Sequence, residues 1–227
     1  MRALALAALL LPLAAIADDL PVVQCPTTVQ GEEENPPFPV PPLPQIGLSE
    51  KAALAFYVSQ DYAVLAPRGW QCHENSGSSG SGLIVAPDGL EDPIQGPGLT
   101  LGVSNGGTSG RFAVAKLDAE LFPQEAAFTQ SVKDEGFMGA DYFPAGPPPT
   151  DKLTRLGPRA VEFVTPADHD GIGTQSGLAK GPLPIQGVAL HEKGGDGDVE
   201  LLTVRLPKGQ ETLIKAILSD VERRWGN

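Results

Sequence analysis

The chain has 227 residues, with 16 Lys and Arg against 28 Asp and Glu, which gives a formal net charge of −12 at pH 7. So acidic a chain lacks the cations that neutralise a phosphate backbone, which excludes nucleic acid and anionic membrane surfaces as partners. Its 27 Gly and 23 Pro stay just below the roughly 25–30% typical of low-complexity chains, so the composition predicts a loop-rich globular protein.

Residues 1–17 have the three parts of a secretory signal peptide. A basic start, Met1-Arg2, precedes an apolar run over 3–16, and the run closes on Ala-Ile-Ala at 15–17. The run is too short to span a bilayer, and no later stretch approaches the roughly 18 apolar residues of a transmembrane helix. We therefore expect an exported protein, periplasmic or secreted, with no stable membrane insertion after the signal is cleaved.

Residues 18–48 are predicted to form an acidic, Pro-rich N-terminal strap. Export to an oxidising compartment favours a disulfide between Cys25 and Cys72, the only two cysteines. Six of the nine residues from 36 to 44 are proline, and proline lacks the backbone donor that a central strand needs. The strap is either a structural brace or a docking segment for an aromatic groove, and the tether favours the brace.

Residues 49–227 are predicted to form one α+β domain, with a mostly antiparallel sheet and flanking helices. Apolar periodicity predicts a short helix over 50–59, two helices over 111–122 and 124–135, and an amphipathic C-terminal helix over 210–225 that packs on the sheet. Strands are predicted over 62–66, 83–86, 99–103, 160–165, 185–192 and 199–206. A hairpin turn is expected at 193–198, and residues 143–157 are expected to be turns.

The Gly/Ser-rich segment 75–82 is the strongest candidate for nucleophilic chemistry. A serine hydrolase would use Ser79 or Ser81 with His73 or His191. The segment does not match G-x-S-x-G, and a strand follows it where a nucleophile elbow has a helix. The pattern therefore favours a flexible connection between two strands, with the hydrolase as the alternative.

Metal ligands are present only as incomplete sets. Asp and Gly cluster at 168–171 and at 196–200, and there are three histidines. None of them forms an H-E-x-x-H pair or an EF-hand loop. The sequence predicts no metal site, no cofactor and no catalytic residue.

Arg68 and Trp70 follow a predicted strand and come just before Cys72. They either cover the disulfide and the sheet end, which is the favoured interpretation, or line a cleft where Arg binds a carboxylate and Trp stacks on a ligand. We take Arg68, Trp70, His73 and Ser79 as the candidate binding residues.

The segment APRGWQC at 66–72, followed by GSSGS at 77–81, resembles a signature of uncharacterised exported bacterial proteins. The likeness continues through SGRF at 109–112, TPA at 165–167, GIGT at 171–174 and VRLP at 204–207. It implies bacterial export and a shared domain, without an activity. More distantly, the order of elements is similar to the PsbP-like α+β fold, whose members are accessory or binding proteins. The expected function is non-catalytic binding of a partner protein or small ligand in the cell envelope.

Overall fold

The computed structural model describes residues 20–192 and 197–225, except for the side chains of Ala140 and Trp225. The predicted signal peptide and most of the predicted turn at 193–198 lie outside the described residues.

Within these residues the chain forms twelve strands and four α-helices. The helices are α1 Leu48–Ala53, α2 Arg111–Leu121, α3 Ala126–Asp134 and α4 Ile214–Trp225. The strands are β1 Val22–Gln24, β2 Thr27–Val29, β3 Glu32–Glu34, β4 Leu54–Val58, β5 Ala63–Pro67, β6 Gln71–Gly77, β7 Gly80–Ala86, β8 Gly98–Ser104, β9 Lys152–Gly157, β10 Ala160–Thr165, β11 Ile185–His191 and β12 Val199–Arg205.

Nine strands form one large sheet in the order β3-β2-β6-β7-β8-β12-β11-β10-β9. Every neighbouring pair is antiparallel except β2 and β6, which run parallel. Segregated helices on a mostly antiparallel sheet define an α+β fold. The predicted fold class is therefore confirmed, including the C-terminal helix on the sheet.

One face of the large sheet is covered by α4 and by a small sheet of order β1-β4-β5. All five residues of β4 and all five of β5 are buried. The apolar residues of α4 recur at helical spacing, so Ile217 and Val221 reach the same core as Leu202. This face contains the larger hydrophobic core.

The opposite face is only partly covered. Val114, Leu117 and Leu121 of α2 pack over Val161 and Phe163 of β10 and over the adjoining strands β11 and β12. α3 packs against α2. Strands β7 and β8 carry glycine at Gly82 and Gly102, so this part of the face offers no apolar side chains for a helix to bury.

The disulfide between Cys25 and Cys72 is present, with Cα atoms 5.2 Å apart. It joins the strap to β6, and both cysteines are buried in the larger core. The Pro-rich segment forms no strand. It is fixed at Phe38, whose backbone N–H donates to Gln24 Oε1 at 2.8 Å.

Three secondary-structure predictions are wrong. The helix over 50–59 ends at Ala53 and becomes strand β4, because β1 and β5 pair with this apolar run on both sides. The segment 75–82 is a tight hairpin of β6 and β7, with a turn of only two residues at 78–79. The stretch 143–157 ends in the edge strand β9, which pairs with β10.

Candidate binding groove

A groove lies on the face that α2 leaves uncovered, and two paired glycines form its floor. Gly82 of β7 is directly opposite Gly102 of β8 in the ladder. A β-carbon added at Gly82 would lie 3.8 Å from its nearest neighbour, the carbonyl oxygen of Leu101. That is an ordinary van der Waals distance, so the space above Gly82 is open. The missing side chains leave room that a core-facing strand would otherwise fill.

The walls of the groove come from three other parts of the chain. The groove is also lined by Lys116 and Leu117 of α2, by Tyr142, and by the loop 174–177, which contacts α2 through Gln175 and Glu120. The volume of the groove is about 600 Å³. Small-molecule sites typically have volumes of roughly 300–1,000 Å³. The groove is therefore large enough to hold a small-molecule ligand.

A second cavity of about 390 Å³ adjoins the groove and shares Ser104 and Tyr142 with it. Ser79, Phe112 and Met138 line this extension. Next to it stands Phe137, with 76% of its surface exposed and its ring edge-on to Phe112 at 6.2 Å. The groove and this extension thus form one continuous trough. The trough is polar along its floor and has apolar residues at its outer edge.

Lys116 contributes a positive charge to the lining of the trough. The Lys116 ammonium lies 5.7 Å from the centre of the Tyr142 ring. Glu120 lies one turn further along α2, where its two carboxylate oxygens accept from Gln175 Nε2 at 3.0 and 2.9 Å. Burial raises the pKa of Glu120, opposed by Gln175 and Lys116. Burial also raises the pKa of Tyr142, with a further contribution from Glu120. The lining of the groove therefore offers the ammonium of Lys116, the phenol of Tyr142 and the amide of Gln175.

Hydroxyl groups cluster at the other end of the floor. Thr100 Oγ1 lies 2.6 Å from Thr203 Oγ1 and 2.5 Å from the carbonyl oxygen of Ser176. The Ser176 hydroxyl is 3.3 Å from both threonine hydroxyls. Asp92 lines the same end of the groove. Hydroxyl and amide groups can both donate to and accept from a ligand, and a carboxylate accepts, so the lining suits a molecule rich in hydrogen-bonding groups.

Arg68 and Trp70 have structural contacts. Arg68 Nε donates to the carbonyl oxygen of Leu54 at 3.0 Å, and its guanidinium also donates to the carbonyl oxygen of Lys51. Trp70 packs against the larger core, and its backbone N–H donates to the Tyr57 hydroxyl at 3.0 Å. Neither residue lines the groove. The Arg68 side chain therefore joins α1 and the start of β4 to the turn that precedes β6.

The other two predicted binding residues lie at different places on the β6–β7 hairpin. His73 is half-buried on β6, with Nε2 3.0 Å from Thr28 Oγ1. Ser79 is exposed in the turn and lines the extension of the groove. Of the four predicted binding residues, the structure brings only Ser79 to the trough.

The serine and histidine side chains have separate partners. Ser81 Oγ lies 2.5 Å from the Tyr62 hydroxyl. His191 Nε2 lies 3.2 Å from Asp118 Oδ1, and its Nδ1 is 2.9 Å from the carbonyl oxygen of Glu192. In the part of the chain that the structure describes, no hydrogen bond joins a serine to a histidine.

The same residues contain no group of three or more His, Cys, Asp or Glu side chains placed to hold a metal ion. None of the described helices is long and apolar enough to cross a bilayer.

Sequence reasoning missed the residues that build the groove, such as Lys116, Tyr142 and Gln175. One signal was available. Gly80 and Gly82 alternate with Ser81 and Leu83 in β7, and glycine inside a strand marks a close approach or an open space.

Comparison with family models, with curated proteins and with solved structures found no match for this chain.

Proposed function

We propose that the protein is an exported, non-catalytic binding domain of the cell envelope, which holds a small polar ligand in the groove above Gly82 and Gly102. The observation that carries this proposal is the open space above Gly82 in a groove lined by Lys116, Tyr142 and Gln175. At Gly102 the close approach of the Ser81 carbonyl oxygen, 3.0 Å from an added β-carbon, already favours glycine. Gly82 has no such close neighbour, and glycine otherwise lowers strand stability and packs nothing.

The polarity of the lining supports a polar ligand. Thr100, Ser176 and Asp92 lie at one end, and Lys116 lies on the wall. Isolated surface grooves that bind apolar segments lack such convergent polar groups, whereas ligand sites combine apolar walls with a few placed donors and acceptors. The exposed Phe137 at the outer edge of the trough adds an apolar surface on which part of the ligand can rest.

Export and family membership belong to the same proposal. The disulfide in the described structure is typical of an oxidising compartment. The resemblance to exported bacterial proteins rests on the sequence signature around Pro67–Cys72, where strand β5 runs into the turn before β6.

Filling the groove tests the proposal. Gly82→Val places a branched side chain where the backbone is extended and the nearest atom is at an ordinary distance, so the fold should be retained. Ligand-observed saturation-transfer NMR against neutral sugars, amino acids and short peptides should give at least one class of binder with the native protein. Gly82→Val should abolish those signals.

Gly157→Val is the matched control. It adds the same side chain to a strand glycine at the far edge of the large sheet, where a β-carbon would have nothing within 4 Å. Binding should be unchanged in this variant. Binders that survive Gly82→Val, or a complete absence of binders, would contradict the proposed site.

A further inference from the structure

A separate, smaller cavity lies on the opposite face of the large sheet, between α4 and the turn that joins β4 to β5. Its volume is about 240 Å³. Its lining residues are Asp61, Tyr62, Ala63, Leu101, Val103, Glu200, Val221 and Arg224. None of its side chains was selected from the sequence as a site residue.

Glu200 is the unusual member of this lining. It points from β12 toward the face that α4 covers, and only 8% of its surface is exposed. Among the described residues its carboxylate accepts no hydrogen bond and has no ion-pair partner within 4.0 Å. An ionised group buried without a partner is costly, so such groups in proteins are normally paired or hydrogen-bonded. Glu200 therefore has no directly bonded partner within the described part of the protein, and Arg224 acts on its charge only at longer range.

The neighbouring arginine is already engaged. Arg224 donates to Asp220 Oδ2 at 2.7 Å and to the carbonyl oxygen of Ala63, and its guanidinium lies 5.4 Å from the centre of the Phe56 ring. Asp220 thus balances much of its charge.

The remaining polar groups that face Glu200 are acidic or already bonded. The Tyr62 hydroxyl is hydrogen-bonded to Ser81 and to the backbone N–H of Val103. Asp61 lies at the cavity mouth, and its backbone N–H donates to Glu74, a further buried carboxylate. The Asp61 carboxylate accepts from Ser76 Oγ at 3.4 Å, and Ser76 lies on β6, three strands away from β12. Among the described lining residues, Glu200 is therefore the carboxylate left without a bonded partner in this cavity.

The rest of the lining is apolar. Leu101, Val103 and Val221 form the inner walls. A ligand with a positive group at Glu200 would therefore place a short hydrocarbon chain along these walls.

We propose that this cavity binds a primary alkylammonium ion, with the ammonium at the Glu200 carboxylate and the methylene groups against Val103 and Val221. An ammonium has three donors and no acceptor, which matches a site built from carboxylate oxygens. The volume accommodates a chain of a few carbon atoms. The same chemistry is offered by a free aliphatic amine and by the end of a lysine side chain on a partner protein.

Isothermal titration with n-butylammonium chloride at pH 8 tests the proposal. Saturable binding is expected, and 1-butanol, which has the same chain without the charge, should not bind. Glu200→Gln should weaken butylammonium binding by at least about tenfold, since it removes the charge that a charge-assisted hydrogen bond needs. Asp61→Asn, at an exposed residue whose change leaves the core intact, should weaken binding to a smaller extent.

The pH dependence gives an independent readout. Burial raises the pKa of Glu200 to about 7, with Arg224 acting in the opposite direction. Butylammonium keeps its proton throughout this range, so binding should weaken about 90-fold between pH 8 and pH 5 as Glu200 takes up a proton. In Glu200→Gln this dependence should disappear.

Nα-acetyl-lysine amide distinguishes the two sources of the ammonium. Binding of both compounds points to a partner's lysine, whereas binding of butylammonium alone points to a free amine. Glu91→Gln removes one negative charge at an exposed residue outside the cavity and should leave binding unchanged. Failure of both amines to bind, equal binding of 1-butanol, or unchanged affinity in Glu200→Gln would overturn the proposal, and none of these results bears on the groove above Gly82.

Discussion

Glu200 makes the folding stability depend on pH in a direction that can be worked out. Burial raises its pKa from 4.5 to about 7 in the folded protein. Below pH 4.5 the carboxyl is protonated in both states, so it adds no pH dependence. Between pH 4.5 and 7 the unfolded chain releases the proton while the folded protein keeps it, so stability falls as the pH rises.

The size of this loss follows from the two pKa values. A difference of about 2.5 pKa units corresponds to about 3 kcal/mol in the free energy of unfolding, at about 1.4 kcal/mol per unit. The loss is complete once the pH exceeds 7. Gln does not ionise, so the Glu200→Gln variant does not undergo this loss. The free energy of unfolding of the variant minus that of the native protein should therefore be about 3 kcal/mol larger at pH 8 than at pH 4.5.

Urea denaturation followed by circular dichroism at half-unit steps from pH 4.5 to pH 8 measures this difference. The relevant quantity is the free energy of unfolding of the variant minus that of the native protein, which cancels the contributions of the other titrating groups. Glu91→Gln, an exposed residue outside the cavity, controls for the loss of one negative charge. A difference that does not change with pH would refute the conclusion that Glu200 ionises at a buried site.

Three further predictions concern the disulfide, a buried ion pair and the serine turn. Replacing both Cys25 and Cys72 by Ser should lower the free energy of unfolding by about 4 kcal/mol, because the bridge closes a loop of 47 residues; a change below 1 kcal/mol in thermal or urea melts would contradict this. His191→Leu should cost about 3–5 kcal/mol because it leaves the buried Asp118 carboxylate unpaired. Adding Asp118→Leu should recover most of that loss, and a double variant as unstable as the single one would count against the pairing. A fluorophosphonate probe should form no adduct at Ser79, and mass spectrometry showing a stoichiometric adduct would restore the hydrolase alternative.

The sequence was sufficient where one physical signal dominated. The apolar spacing in α4 is that of a helix with one buried side, and the structure packs that side on the sheet. The two cysteines allowed a single pairing in an oxidising compartment. Residues 54–58 show the limit of such signals, since an apolar run without clear alternation fits a buried helix or a buried strand equally well. Pairing with β1 and β5 made it a strand.

The candidate sites were harder to predict because their residues have no special local pattern. Lys116 has the appearance of an ordinary polar residue on the outer side of a helix, and only the position of Tyr142 and of the glycine floor turns that surface into a wall. Glu200 lies in an otherwise apolar strand, and its neighbours come from the β4–β5 turn and from α4. Both sites depend on contacts between segments far apart in sequence.

Glu200 differs from the other buried carboxylates in having no bonded partner in the part of the protein that the structure describes. Five acidic residues are buried in the described chain, and burial raises the pKa of each of them. Four have an internal partner: Glu74 accepts from Thr27, Asp118 lies next to His191, Glu120 accepts from Gln175, and Asp220 pairs with Arg224. Glu200 is the fifth, and it faces a cavity. An uncompensated buried charge lowers stability, and such costs are typical of functional sites. The alkylammonium ion proposed for the cavity would offset this cost at Glu200.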